Sequence, residues 1–397
     1  SLGSETVYPW YDTSGRGNNA NITDSRFRAT DGGYFTFDGT GDYLTVPSTT
    51  DFAFGTGDFT VEYWVKTTGT PAGTNYGYFG GGKGGSPFLS SIDRIDFDND
   101  TATAAPKGNL STGRSAAGSV GNLSYGYVAR GRIGPGSLNN SSVDRIDYSN
   151  DTATAPHHLN MSTTTRQNDA VGNVDYGYFS GRKNPGGNTN VDRIDYSNDT
   201  ATSTAKGPLS AQTYVCSTVG NQSYGYFSGG LTGDPDWASI TSVSRIDYSN
   251  DTATAAAKGS LTLPTFKGTA AGNSDYGYNA GGSNFPSGAY SSVQRIEYAN
   301  DTPNTSPKGN LSVTRYTHGA TGNQSYGYFS GGIGLSSTDR IDYSNDTATA
   351  VVKGPLSAAN NYNNGFSPRA NANPTTSPLS AANIINPDSE TGSGYWG

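Results

Sequence analysis

"GNQSYGYFSGG" is written twice in this chain, at Gly220–Gly230 and at Gly322–Gly332. Looser copies of its Tyr-Gly-Tyr begin at Tyr76, Tyr125, Tyr176 and Tyr276. With Tyr224 and Tyr326 the phrase recurs at steps of 49, 51, 48, 52 and 50. A second phrase, of the form RIDYSNDTATA, follows each copy. Its Arg stands at 94, 145, 193, 245, 295 and 340, and its Asn at 99, 150, 198, 250, 300 and 345. The Arg-to-Asn interval is always 5, and the interval from Asn to the next Tyr-Gly-Tyr is always 26. All variation falls between Tyr-Gly-Tyr and Arg, where the intervals are 18, 20, 17, 21, 19 and 14. A period near 50 with a constant scaffold and one free loop per unit marks a repeat architecture.

Each unit divides into four short strands. The first precedes the Gly-Asn turn, the second is YGYFS, the third is VDRIDY, and the fourth is TATA running towards KGPLS, with Ala and Thr in period two. The Ser-Asn-Asp between the third and fourth reads as a hairpin turn, because Asn and Asp bond their own backbone. Composition agrees: 55 Gly and 27 Tyr against 15% charged residues favour strands and tight turns over helices. Four strands repeated six times describe a β-propeller of six blades. Its ring has two candidate closing segments, Val65–Asn75 and Ser357–Phe366. The second is preferred because it follows KGPLS as a seventh copy would.

The string GNQSYGYFSGG, then a variable stretch, then TDRIDYSNDTATA and KGPLS, resembles the kelch repeat over residues 71–366. The resemblance implies a Gly-Gly after the second strand and an Arg leading into the first, a place that Arg114 and Arg315 fill. Where kelch has a fourth-strand Trp this chain has Ala153, Ala201, Ala253 and Ala348, so packing between blades is expected to rest on Tyr and Ile. The wording of the repeats is also similar to that in structural proteins of marine bacteriophages, cyanophages especially. Residues 1–70 differ: Gly32–Thr68 resembles the opening strands of laminin-G-like, concanavalin-type β-sandwiches, with Phe59, Val61, Tyr63 and Val65 alternating. A full sandwich needs about twice that length, so a partial sandwich is expected. Residues 367–397, rich in Pro, Ser and Asn, read as an extended tail. The expected fold is therefore all-β: a partial sandwich, a six-bladed kelch-like propeller and a tail. At least one of the sandwich and the tail is expected to contact another chain or the propeller flank.

An Arg and an acid two residues on occur in every repeat: Arg94/Asp96, Arg145/Asp147, Arg193/Asp195, Arg245/Asp247, Arg295/Glu297 and Arg340/Asp342. Residues i and i+2 share a strand face, which predicts a ladder of structural ion pairs. Six symmetric pairs do not make the single asymmetric constellation of an active site. The six Asn-Asp-Thr triplets match the glycosylation acceptor but read first as turns. No metal or cofactor is expected: His157, His158 and His318 have no zinc or copper spacing, which argues against a kelch-type copper oxidase. No Ser-x-Asp-x-Gly box of a sialidase occurs, and no pair of acids stands out for glycoside hydrolysis. Cys216 is the lone cysteine, so no intrachain disulfide forms. A net charge of −8 argues against a nucleic-acid partner. No apolar run of about 18 residues crosses a membrane, and the first ten residues lack the pattern of a signal peptide.

The free loops carry the binding expectation, since variable loops on a rigid ring are where recognition concentrates. Arg130 and Arg182 replace a glycine, with Arg132 and Lys183 beside them. The next two blades carry Asp234, Asp236, Trp237, Phe285 and Tyr290. Guanidinium groups for carboxylates and aromatic rings for sugar faces suit an acidic polysaccharide. The expected function is non-enzymatic: a virion structural or adhesion protein in a tail fibre, spike or surface decoration. Its expected partners are other virion proteins, copies of itself and host surface polysaccharide. The alternatives are a bacterial surface or secreted glycan-binding protein and, behind it, a propeller enzyme.

Overall fold

The computed structural model describes residues 18, 21–23, 26–28, 34–36 and 43–45, and 75–370 except 85–86, 135–137, 166, 181–188, 233–236, 285–287 and 369. The chain divides into two compact units, Ser1–Thr67 with Ser377–Gly397, and Thr68–Thr376. In the first, Asn21–Thr23 pairs antiparallel with Tyr43–Thr45, and Arg26–Arg28 with Tyr34–Thr36. The alternating stretch Phe59–Val65, on which the sandwich resemblance leans, lies outside the described residues, as does the tail from 371 on.

The second unit is a six-bladed β-propeller. Each blade is an antiparallel sheet whose strands run from the central channel outwards in chain order. The innermost strands of blades two to six are Gly118–Gly121, Asp169–Gly172, Ser217–Gly220, Thr269–Gly272 and Gly319–Gly322. Blade one takes its innermost strand from the other end of the chain: Asn364–Phe366 pairs with Tyr76–Gly80. The C-terminal segment therefore closes the ring. Phe366 stacks on Tyr78 at 5.5 Å, and the Ser367 hydroxyl donates to the Tyr76 carbonyl at 2.9 Å. Among the described residues no helix is long and apolar enough to cross a membrane.

Tyr-Gly-Tyr is a packing device. The second Tyr of each copy is fully buried (Tyr78, Tyr127, Tyr178, Tyr226, Tyr278, Tyr328). Its ring stacks at 4.8–5.1 Å on the aromatic residue that directly follows the third strand of the next blade: Tyr148, Tyr196, Tyr248, Tyr298, Tyr343 and, closing the ring, Phe97. The glycine between the tyrosines makes room for the corresponding aromatic ring of its own blade, on which the preceding blade's Tyr stacks. A Cβ at Gly225 would lie 2.6 Å from the Tyr248 hydroxyl and 2.7 Å from Val171 Cγ1. Tyrosine thus takes the place expected of the missing tryptophan.

The ion-pair ladder exists, but its acids differ from those expected. Each arginine bonds the Asp of the Asn-Asp-Thr triplet in the next blade, not the acid two residues on. Arg94 reaches Asp151, Arg145 Asp199, Arg193 Asp251, Arg245 Asp301, Arg295 Asp346 and Arg340 Asp100, at 2.7–2.9 Å. The same carboxylate accepts from the buried tyrosine hydroxyl, as from Tyr178 to Asp251 at 2.9 Å. A second cation completes it, as Lys206 does at 3.1 Å, and His158 takes the lysine's place on Asp199 at 2.7 Å. The first Tyr of each copy lies under the arginine, for example Tyr176 at 4.0 Å from Arg193. Asp147, Asp195, Asp247 and Asp342 accept from the Ser two residues on, capping a one-turn 3₁₀ helix. Asp96 likewise accepts from Asp98 N–H, whereas Glu297 makes no such cap. The turn demands its own acceptor, which removes these acids from the arginines.

The outer strand also shifts. It comprises Ala105–Pro106, His157–Thr165, Thr204–Lys206, Ala256–Ala257, Ser306–Lys308 and Val351–Lys353, beyond the Thr-Ala-Thr run. That run bonds the preceding blade instead: Gly108 N–H donates to Asp151 O and Ala155 N–H to Asn109 O. A backbone paired to its neighbour cannot also extend its own sheet.

Candidate functional site: the mouth of the central channel

Strands alternate in direction, so the Asn-Asp-Thr ladder lies on one rim of the ring. The second-to-third loops and the entries to the first strands lie on the opposite rim. The expected binding residues distribute unequally over this upper rim. Arg130 adopts a left-handed φ of 62° where its counterparts are glycines. It is 1% exposed, and its guanidinium bonds Asp192 and Asn168 of the next blade. It is therefore interior structure and no ligand contact. The reason is charge balance. Asp144 and Asp339 receive the buried Arg114 and Arg315 of their own blades, at 2.8 and 3.2 Å. The equivalent Asp192 has Thr165 where those blades have Arg, so Arg130 crosses from blade two to neutralise it.

Arg132 is half-buried on the short strand Arg132–Ile133, between Arg114–Ser115 and the start of Leu138–Asp147. Trp237 is half-buried, edge-on to Tyr214 at 5.9 Å, against Val215, Leu231 and Phe266. Tyr290 donates its N–H to Gly282 O and accepts from Arg315 N–H. Arg182, Lys183, Asp234, Asp236 and Phe285 lie outside the described residues. The described members of this set, Arg130, Arg132, Trp237 and Tyr290, do not come together as a cluster.

It gathers a different one. Ala116, Gln167, Val215, Lys267, Thr317 and Tyr362 all have φ of 51–57°, a region costly for residues with a Cβ. Each opens the first strand of its blade, so together they ring the channel mouth. Their backbones bond one another around the circle. Gln167, Lys267 and Thr317 N–H donate to Ala116, Val215 and Lys267 O, each at 2.9 Å. Tyr362 N–H reaches Thr317 O at 2.6 Å, and Ala116 N–H reaches Tyr362 O at 3.3 Å. The circle opens between blades three and four. There the Asp169 carboxylate accepts from the Val215 and Cys216 N–H groups, the latter at 3.0 Å, and from the Cys216 thiol at 3.2 Å. Crowding by surrounding protein pushes the Asp169 carboxyl up to about 8, against the lowering effect of these donors.

The mouth opens into a cavity of about 150 Å³ lined by all six first strands. Lys267 stands on its wall with Nζ 5.1, 5.6 and 5.9 Å from the Phe266, Tyr362 and Tyr316 ring centres. Its ammonium has cation–π contacts and no ion pair to any described residue. His318, 2% exposed beside Phe329, has neither ring nitrogen bonded to any described residue. Burial, followed by the nearby Arg315, holds its pKa well below the usual histidine value, so it is neutral. Among the described residues no three His, Cys, Asp or Glu side chains come together as metal ligands.

Sequence reasoning passed over this mouth because its residues share a position and no residue type. Each stands 17 places after the Asn of the Asn-Asp-Thr triplet that precedes it (116 after 99, for example, and 362 after 345). Aligning the repeats at that offset would have isolated Lys267 as the one cation.

No family model matches the chain, and no curated protein matches it. Among solved structures it is similar to one described as the structure of YjhT, with a TM-score of 0.57 and 12% identity over 71% of this chain and 95% of that one. At that identity the likeness concerns the fold, a six-bladed β-propeller.

Proposed function

We propose that the chain is a non-enzymatic recognition protein that presents its upper propeller rim to a partner. In this reading it is a structural or adhesive component of a phage particle, in a tail fibre, spike or surface decoration. The observation that carries the recognition role is the unequal use of charge on the two rims. The lower-rim arginines and lysines are paired with aspartates between blades, whereas the upper rim combines loops of variable length with Lys267, which has no ion pair to any described residue. The similarity of the repeats to phage structural proteins supports the particle setting.

Two measurements test it. Peptides of the chain should appear in gradient-purified particles at a fixed ratio to the capsid protein. The purified chain should also bind host cells and be displaced by the host's own surface polysaccharide. A chain missing from particles removes the virion setting and leaves a bacterial glycan-binding protein. A chain that binds neither cells nor particle proteins removes the recognition role.

A further inference from the structure

The residue before each ladder arginine is buried towards the upper rim: Asp93, Asp144, Asp192, Ser244, Gln294 and Asp339. Blades four and five keep this place neutral. Asp144 and Asp339 meet Arg114 and Arg315 of their own blades, and Asp192 receives Arg130 from blade two. Asp93, in blade one, is the acid left over. Its carboxylate accepts from the Ser357 N–H at 2.9 Å and the Ser357 hydroxyl at 2.8 Å, and no cation among the described residues acts on it. The arginine of its own blade is replaced by Asn360, which stands 15 places after Asn345 as Arg114 and Arg315 do after Asn99 and Asn300. The blade-six counterpart of Arg130 is Gly331, so no neighbour crosses over as in blade three.

The acceptors that hold an arginine elsewhere remain. Arg315 Nη1 donates to the carbonyls of Phe329, Gly331 and Ser337 at 2.9–3.1 Å, and its Nη2 to the Ser337 hydroxyl at 3.3 Å. Arg114 does the same with Val128, Arg130 and Ser142. The blade-one equivalents are Phe79, Gly81 and Ser91, of which the Asn360 amide reaches only Gly81 O, at 2.7 Å. The shorter side chain also leaves the place open to solvent. Asp93 is 8% exposed where Asp144 and Asp339 are 0%, and Ser91 is exposed where Ser142 and Ser337 are half-buried. A desolvated carboxylate without a cation is costly, and this arrangement of oxygens already holds a planar, forked guanidinium twice in the ring. We propose that blade one carries a guanidinium slot, in which an arginine side chain of a protein partner docks on Asp93 at the upper rim. The partner supplies from outside what Arg114, Arg130 and Arg315 supply within the ring. A lysine ammonium, a point charge without the fork, fits the same oxygens less well. This names a partner chemistry for the recognition role above and rests on that role for its biological setting, though not for its test.

The test is titration calorimetry of the full chain at matched ionic strength. The probes are N-acetylarginine amide, its neutral isostere N-acetylcitrulline amide, N-acetyllysine amide, and potassium and calcium ions. The arginine amide should bind at one site per chain and raise the melting temperature. The citrulline and lysine amides should bind at least tenfold more weakly. Asn360→Arg returns the guanidinium to the chain itself, so it should raise the melting temperature and abolish binding of the arginine amide. Asp93→Asn should weaken that binding at least tenfold; if this variant does not fold, Asn360→Arg decides alone. Equal binding of the citrulline amide, displacement of the arginine amide by equimolar potassium or calcium, or binding that survives Asn360→Arg would each overturn the proposal. Binding of the wild-type chain to host cells and particle proteins separates the two readings. No arginine binding with cell or particle binding intact overturns the slot and keeps the recognition role. Arginine binding by a chain that takes up neither cells nor particle proteins keeps the slot and removes the role.

Discussion

The two rims of this propeller are built from the same six repeats and behave oppositely. On the lower rim every blade presents the same constellation: a tyrosine, an arginine and a lysine, or His158 in one blade, converging on one aspartate of the next blade. On the upper rim the equivalent positions hold Ala, Gln, Val, Lys, Thr and Tyr, and the buried acids find different partners from blade to blade: Ser357 on Asp93, Arg114 on Asp144, Arg130 on Asp192 and Cys216 on Asp169. Repetition serves adhesion between neighbours, because every interface must satisfy the same donors. Departure from repetition concentrates where no neighbour imposes a partner.

Electrostatics carries the same contrast. Burial raises the carboxyls of Asp100, Asp199, Asp251, Asp301 and Asp346, yet their cation and tyrosine partners outweigh it and hold all five below the usual range. In the upper half burial wins at Asp93, Asp144 and Asp169, despite Ser357, Arg114 and Cys216 respectively.

The sharpest way to break the contrast is at the seam. Deleting 364–370 removes the inner strand of blade one and with it Phe366, which packs against both Tyr78 and Tyr148. Loss of the cooperative melt is expected by calorimetry; a sharp melt at the wild-type temperature would show that another segment closes the ring. Next comes Arg130→Ala, which strands the Asp192 carboxylate in the interior at a cost of about 3–5 kcal/mol. Arg130→Met with Asp192→Asn should recover part of that loss in urea titrations. A melt indifferent to Arg130→Ala would return this arginine to the list of surface ligands.

A smaller effect is expected at Gly225→Ala. The new methyl meets Tyr248 and Val171, and overpacking of this kind costs about 1–3 kcal/mol. Gly134→Ala, where no atom lies within 4 Å of the added carbon but φ is 64°, reports backbone strain without crowding. A melting temperature unchanged by Gly225→Ala would mean that close packing at the blade interface is not what Gly225 serves.

The gentlest test is acid–base. Asp100, Asp199, Asp251, Asp301 and Asp346 have lowered folded pKa values, so the stability they give is present above the unfolded value of about 3.9 and is lost as pH falls through the folded one. Asp169 has the reverse sign: its contribution is complete below about 3.9 and is lost as pH rises towards about 8. Asp169→Asn should flatten the decline in melting temperature between roughly pH 5 and 8 and leave the acid limb unchanged. An unaltered alkaline slope would show that Asp169 stays ionised throughout.

Sequence alone determined the repeat, the count of blades, the place of Tyr-Gly-Tyr on the second strand and the face that varies. These follow from local rules, since spacing, turn residues and alternation are written along the chain. It also led to the segment that closes the ring, because Ser357–Phe366 continues the period. Which acid meets which arginine was decided only in three dimensions. Asp147 and Asp151 are both near Arg145 in sequence, but a 3₁₀ turn claims the first and the preceding blade's Arg94 claims the second. Arg130 was misjudged for the same reason. Its sequence position is a surface loop, while its partner Asp192 lies a full blade away, and only the ring brings that unbalanced carboxylate within reach. The channel mouth, finally, is made of residues about 50 positions apart that share a backbone conformation and no chemistry. Local patterning registers side-chain types, and a circle of six strands meeting at an axis is a property of closure.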